Sequence, residues 1–278
     1  MPHAPAGQIK LYYEETGTGF PIIFVHEYAA DHREWEGQVR HFSRRYRCIA
    51  FSARGYPPSD VPQTDADYGY EHSRDDIAAV LNHLGIAQAY IVGLSMGAYA
   101  TLQFGMRYPD MAKALVVAGV GSGSPPALRA DFVKNTLAMA EIYYREGSAK
   151  AAESVGISPT RIQLQAKDPR GYAEFLAHLG AHSNIGMALT GRNYQGKRPS
   201  LEEFGAALAQ LRMPVLLACG DEDEPCVATN IWLKGVIATA GLWMVPRTGH
   251  AINLEEPAAF NHAIGDFFSA VENGAWRR

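Results

Sequence analysis

Cysteine is scarce. The 278 residues hold three, Cys48, Cys219 and Cys226. So few, so widely scattered, cannot build a disulfide scaffold. Two of them sit in or near apparent strands, where a reduced cysteine acts as a small hydrophobe. A reducing compartment, the cytoplasm, is the expected location. Positive charge is not in excess either: 25 Lys and Arg against 29 Asp and Glu leave a net charge of −4. A nucleic-acid binder needs surplus cations for the phosphate backbone, so no nucleic-acid partner is expected. Long apolar runs are missing too. Stretches such as Ala114 to Val120 fall far short of the ~18–20 residues of a membrane span, so no membrane partner is expected. The opening Met1-Pro2-His3-Ala4-Pro5 lacks a basic patch followed by an apolar stretch, which predicts no signal peptide. Repeats and low-complexity segments are absent.

What remains is an ordinary globular mix, 47% hydrophobic and 19% charged, which excludes a disordered chain or a coiled coil. The length suits one large domain or two small ones with a sizeable core. Short apolar runs recur at Ile22–Val25, Cys48–Phe51, Tyr90–Val92, Ala114–Val120, Val215–Cys219 and Leu242–Val245. They read as strands buried on both faces of a parallel sheet. Helical spacing separates them: Ile77, Val80, Leu81 and Leu84; Tyr99, Leu102 and Met106; Phe260, Ile264, Phe267, Phe268 and Val271. Strand–helix alternation predicts a doubly wound α/β sheet. Gln8 to Glu14 alternates like a strand, and Gly17-Thr18-Gly19 is expected to turn it back into Ile22 as an edge hairpin.

The strand rhythm stops between Ser122 and Leu211. Val133, Leu137, Ala140 and Tyr144 suggest one helix, and Leu201, Phe204, Leu208 and Leu211 another. The expected organisation is a core of residues 1–121 and 212–278 with a helical cap, 122–211, inserted between two strands. Such a cap would cover the carboxyl ends of the strands, where open α/β sheets bind ligands.

Gly93-Leu94-Ser95-Met96-Gly97 matches G-x-S-x-G directly after a strand and before a helical segment, the context of a nucleophile elbow. The turn is tight enough to demand glycine on both sides. Ser95 would project at a helix N-terminus, where free N–H groups favour negative charge. A serine hydroxyl needs a base. Of ten histidines, His250 follows the last strand and precedes the C-terminal helix. Its imidazole needs an acid to set the tautomer. The run Asp221-Glu222-Asp223-Glu224 follows the strand at Val215–Cys219 and offers one.

Together these features resemble the α/β-hydrolase family over nearly the whole chain. Four blocks carry the likeness: Phe24-Val25-His26, Arg54-Gly55 with Ser59-Asp60, the elbow at Ser95, and the loops of Asp223 and His250. The resemblance implies an α/β-hydrolase fold: a mostly parallel central sheet flanked by helices, with a helical cap. It selects Asp223 as the acid, with Asp221 as runner-up. The oxyanion would be held by the N–H groups of Met96 and, by resemblance, Tyr28.

Two departures stand out. The family generally has His-Gly where this chain has His26-Glu27, and Asp where it has Ser52. Glu27 is expected to replace the missing aspartate by pairing with Arg54 or Ser52. If it faces the pocket instead, it would favour cationic substrates or hold a water. His26 is a pocket or supporting residue.

Other patterns are weaker. His26-Glu27 begins a zinc-protease pattern, but position 30 is Ala30. His178 and His182 share a helix face without an evident third ligand. Gly119, Gly121 and Gly123 lack the third glycine of a dinucleotide loop. Met139, Tyr143 and Tyr144 read as core rather than pocket. No metal or cofactor is expected. The expected reaction is hydrolysis of a small or medium ester, lactone or related carbonyl substrate, falling off below about pH 6–7. Carbon–carbon bond hydrolysis of ring-cleavage products and non-turnover ligand binding are the alternatives. A serine at the elbow disfavours dehalogenase and epoxide hydrolase chemistry. The oligomeric state is left open, a homodimer being compatible.

Overall fold

Continuous apolar runs make strands whose two faces are both covered. In the computed structural model, which describes residues 2–276, Ile23 and Val25 enter one core while Ile22 and Phe24 enter the other. Eight strands form one sheet: β1 (His3–Ala6), β2 (Ile9–Thr16), β3 (Phe20–Val25), β4 (Tyr46–Phe51), β5 (Ala89–Leu94), β6 (Ala112–Ala118), β7 (Val215–Gly220) and β8 (Ala240–Val245). Their spatial order is β1-β2-β4-β3-β5-β6-β7-β8. The first two pairings are antiparallel and the rest parallel.

Helices Tyr70–His83 and Met96–Arg107 cover one face through Ile77, Val80, Leu81, Tyr99 and Leu102. Helices Glu36–Phe42 and Pro257–Glu272 cover the other through Phe42, Phe260, Ile264, Phe267 and Phe268. Tyr90 of β5 stacks on Phe268 with ring centroids 3.9 Å apart. Among the described residues, no helix is long and apolar enough to cross a membrane.

The expected hairpin into Ile22 is corrected. The antiparallel partners of β2 are β1 and β4, and β3 lies beyond β4. Gly17 and Gly19 do turn the chain, with φ of 86° and 116°. They pass it closely under the entrance to β4. A Cβ on Gly17 would lie 2.4 Å from the carbonyl oxygens of Ser43 and Tyr46. The helix Glu36–Phe42 returns the chain as a parallel crossover, which places β4 beside β3 and leaves no room for a hairpin there.

Between β6 and β7 the chain is helical: Pro126–Glu146, Ser148–Gly156, Ile162–Lys167, Pro169–Gly180, Asn184–Leu189 and a π-helical turn, Thr190–Gln195. The inward face of the first helix differs from the expected stripe. Ala140 and Tyr143 are buried, whereas Leu137 and Tyr144 are exposed. The segment at Leu201 is a 3₁₀ turn, Leu201–Phe204, followed by a single helical turn, Gly205–Leu208. Leu211 lies beyond it, buried.

Candidate active site

The elbow follows from local sterics. β5 ends at Leu94, the helix starts at Met96, and Ser95 between them has φ 54° and ψ −111°. That left-handed backbone is uncommon for a residue with a side chain and marks a functional turn. A Cβ on Gly93 would lie 2.4 Å from the Gly97 carbonyl oxygen. One on Gly97 would lie 2.0 Å from that of Val25. Neither position admits a larger residue without moving the turn. Ser95 N–H donates to the Ala118 carbonyl at 2.8 Å, which ties the elbow to β6.

His250 and Asp223 meet above the ends of β7 and β8. His250 Nδ1 donates to Asp223 Oδ2 at 2.8 Å, and both residues are buried. Asp221 goes elsewhere: its Oδ1 accepts the Thr248 N–H at 3.3 Å. The His250 backbone N–H donates to the Thr160 carbonyl at 3.0 Å, a contact from the helical insertion. Burial pushes the His250 pKa down. The charge and hydrogen bond of Asp223 push it up more strongly, so it ends above 6.5.

Glu27 is where expectation and structure part. It pairs with neither Arg54 nor Ser52. Arg54 makes a two-bond ion pair with Asp76, at 2.6 and 2.8 Å. Ser52 Oγ bonds His32 at 2.8 Å. Glu27 Oε2 instead accepts from Arg161 of the insertion, and lies 3.7 Å from His250 Nε2. Glu27 does line the cavity, but Arg161 takes its charge, so the cationic-substrate expectation loses its basis. Burial would raise the Glu27 pKa, but Arg161 and His250 hold it down. Its neighbour Glu34 accepts the Glu27 backbone N–H at 3.0 Å. Burial and the Glu27 charge raise the Glu34 pKa well above the usual range.

His26 is fully buried and bonds two loops together. Its Nδ1 donates to the Glu27 carbonyl at 2.6 Å, and its Nε2 accepts the Ala53 N–H at 2.9 Å. Burial lowers its pKa to about 4, so the ring is neutral.

Removing one partner of the Glu27–Arg161 pair strands a buried charge. Arg161→Met is expected to lower stability by about 3–5 kcal/mol, and Glu27→Gln added to it should recover most of that loss. Urea unfolding of both variants checks this. Additive losses would show that the two side chains do not interact.

The backbone N–H groups of Tyr28 and Met96 have no acceptor among the described residues. The Tyr28 hydroxyl donates to the Met187 carbonyl at 2.7 Å, and that of Tyr194 to the Met96 carbonyl at 2.8 Å. Both bonds tie the insertion to the elbow region. A cavity of about 560 Å³ lies beneath it, lined by Ser95, His250, Asp223, Glu27, Tyr28 and Met139 among others. Its size suits a small-molecule ligand. Met139 therefore reaches the cavity, whereas Tyr143 is core.

Asp223, Cys226 and His250 place one donor atom each within 4.8 Å. The Cys226 thiol donates to the Gly119 carbonyl at 3.3 Å, and burial raises its pKa well above the usual value. That chemistry fits a protonated thiol better than a metal-bound thiolate. His182 bonds Asp31 at 3.2 Å, a packing contact.

Nothing in the sequence marks Arg161, Asp76 or Glu34 as site residues. Arg161 follows Pro159 in an ordinary turn, and no local pattern marks it.

The chain belongs to the α/β-hydrolase fold family, whose model matches residues 21–257. It is similar in fold to the enol-lactonase from Burkholderia xenovorans LB400. The TM-score is 0.85 at 21% identity, over 96% of this chain and 100% of that one. A thermophilic esterase from Thermogutta terrifontis gives a TM-score of 0.84 at 25% identity, over 95% and 94%. In sequence, the 2-hydroxy-6-oxononadienedioate/2-hydroxy-6-oxononatrienedioate hydrolase of Burkholderia vietnamiensis is 24% identical over an alignment of 284 positions, which covers 94% of this chain and 91% of that protein.

Proposed function

We propose that this α/β hydrolase is a serine hydrolase of small or medium esters or lactones. The observation that carries the reading is the 2.8 Å bond from His250 to buried Asp223, in the cavity that Ser95 also lines. Ser95 Oγ attacks the carbonyl carbon while His250 Nε2 takes its proton. Asp223 stabilises the imidazolium. The N–H groups of Tyr28 and Met96 receive the oxyanion. The leaving alkoxide takes the proton from His250. Water, deprotonated by the same imidazole, then releases the acid. Residues 122–211 act as a cap that excludes bulk water, and 1–121 with 212–278 form the core. Three free, buried cysteines support a reducing, cytoplasmic setting.

Turnover of p-nitrophenyl acetate and butyrate across pH tests the reading. His250 must be neutral to act as base. Its pKa is raised, so kcat/KM should fall on acidification with a midpoint above 6.5. Multiple turnovers with that limb are the expected result. A flat profile down to about pH 4.5 would remove His250 as the base. Binding without repeated turnover would make the chain a ligand-binding protein. The Burkholderia vietnamiensis relative favours a second reading, carbon–carbon bond hydrolysis by the same side chains.

A further inference from the structure

Three arginines are buried among the described residues: Arg54, Arg161 and Arg198. The first two hold carboxylates, Asp76 and Glu27. Arg198 holds none. Its guanidinium donates one bond, from Nη2 to the Ser122 carbonyl at 3.0 Å. The rest lies against two rings, 4.7 Å from the centroid of Tyr99 and 5.3 Å from that of Phe132. Its Nη1 has no hydrogen-bond partner. Arg129, a like charge, is among the groups acting on it. Arg198 is 6% exposed. Buried charges are normally paired, because an uncompensated one is expensive to desolvate. Arg198 lines the same cavity as Ser95 and Ser122.

From this we infer that the substrate carries a carboxylate that docks against Arg198. The inference rests on the hydrolase reading and narrows its substrate class. Position supports it. Tyr99, beneath the guanidinium, stands one helical turn after Ser95 on the same helix, about 5–6 Å along its axis. The carboxylate therefore sits several bonds from the scissile carbonyl, as in a half-ester or lactone of a short dicarboxylic acid. Charge also favours one carboxylate over a phosphate. Arg161 is already neutralised by Glu27, and Asp131 and Asp223 also line the cavity, so among the described residues Arg198 is the one cation left there to receive a substrate anion. A dianion would add surplus negative charge beside Asp223 and Glu27. Arginine's planar fork suits carboxylate geometry.

Two measurements test this. First, kcat/KM is compared for monoethyl adipate and the neutral diethyl adipate, in the wild type, Arg198→Gln and Arg198→Lys. The wild type should prefer the monoester. Arg198→Gln should shrink that preference roughly 10–100-fold through KM, the span of one charge-assisted hydrogen bond, and Arg198→Lys should keep part of it. Second, calorimetry compares hexanoate with 1-hexanol. Hexanoate should bind the wild type tightly relative to the alcohol, and lose that advantage in Arg198→Gln. Ester turnover with the same monoester-to-diester ratio in wild type and Arg198→Gln would overturn the carboxylate site and leave the hydrolase reading standing. Hexanoate binding that depends on Arg198, without turnover of either ester, would do the reverse. Equal binding of hexanoate and hexanol by the wild type also overturns the site, whether or not a variant folds.

Discussion

Replacing Ser95 with alanine is expected to lower kcat for p-nitrophenyl butyrate by about 10⁴–10⁶-fold. The change deletes one oxygen. His250 and Asp223 keep their 2.8 Å bond, and the free N–H groups of Tyr28 and Met96 remain. What is lost is the atom that would form the acyl-enzyme in the proposed mechanism. The residual rate should come from substrate positioning and oxyanion stabilisation alone. Alanine carries the same Cβ as serine, so the φ of 54° is no harder to hold and the fold should persist. Circular dichroism and the urea midpoint check that. Turnover within tenfold of the wild type would show that Ser95 is not the nucleophile.

Asp223→Asn is expected to lower kcat by about 10⁴-fold, whereas Asp221→Asn should leave it within about threefold. The contrast comes from where the two acids point. Asp223 is buried and accepts from His250 Nδ1, so the ring nitrogen facing the cavity is free to take a proton. An amide can present N–H groups to Nδ1 and reverse that tautomer. It also removes the charge that holds the His250 pKa up, so any residual activity should extend to lower pH. Asp221 is exposed and accepts a 3.3 Å bond from the Thr248 N–H, which an amide oxygen can also accept. Steady-state kinetics of the two variants decides. Equal losses, or a larger loss from Asp221→Asn, would reassign the acid.

These variants act on residues that the sequence itself singles out, and the reason is physical. A strand buried on both faces must be nearly all apolar, so β3 to β7 announce themselves as runs. The elbow is legible because its constraint is local. Gly93 and Gly97 lie within two residues of Ser95, and any Cβ there strikes nearby backbone. His250 is legible from its place after the last strand. Family resemblance, not a local pattern, selects Asp223 over Asp221, and it is Asp223 that bonds His250 in the structure.

Other features were not legible. Alternating apolar and polar residues mark β2 as a strand but do not name its neighbours, so the expected partner was β3 and the observed ones are β1 and β4. Glu27 is legible as a departure, but its partner is not. The neighbouring strand's loop is the expected partner, and Arg161 lies 134 residues away in sequence.

The sequence by itself thus determined the parallel sheet, the tight turn at Ser95 and the places of the Asp223 and His250 loops. Each depends on burial periodicity or on sterics within a few residues. Tertiary structure alone decided the order of the edge strands, the pairing of Glu27 with Arg161 and the missing counter-charge of Arg198. Those depend on which side chains share a small desolvated volume once the helical insertion has folded down. A buried charge needs a neighbour in space, and nothing in that requirement fixes how far away in sequence the neighbour must be.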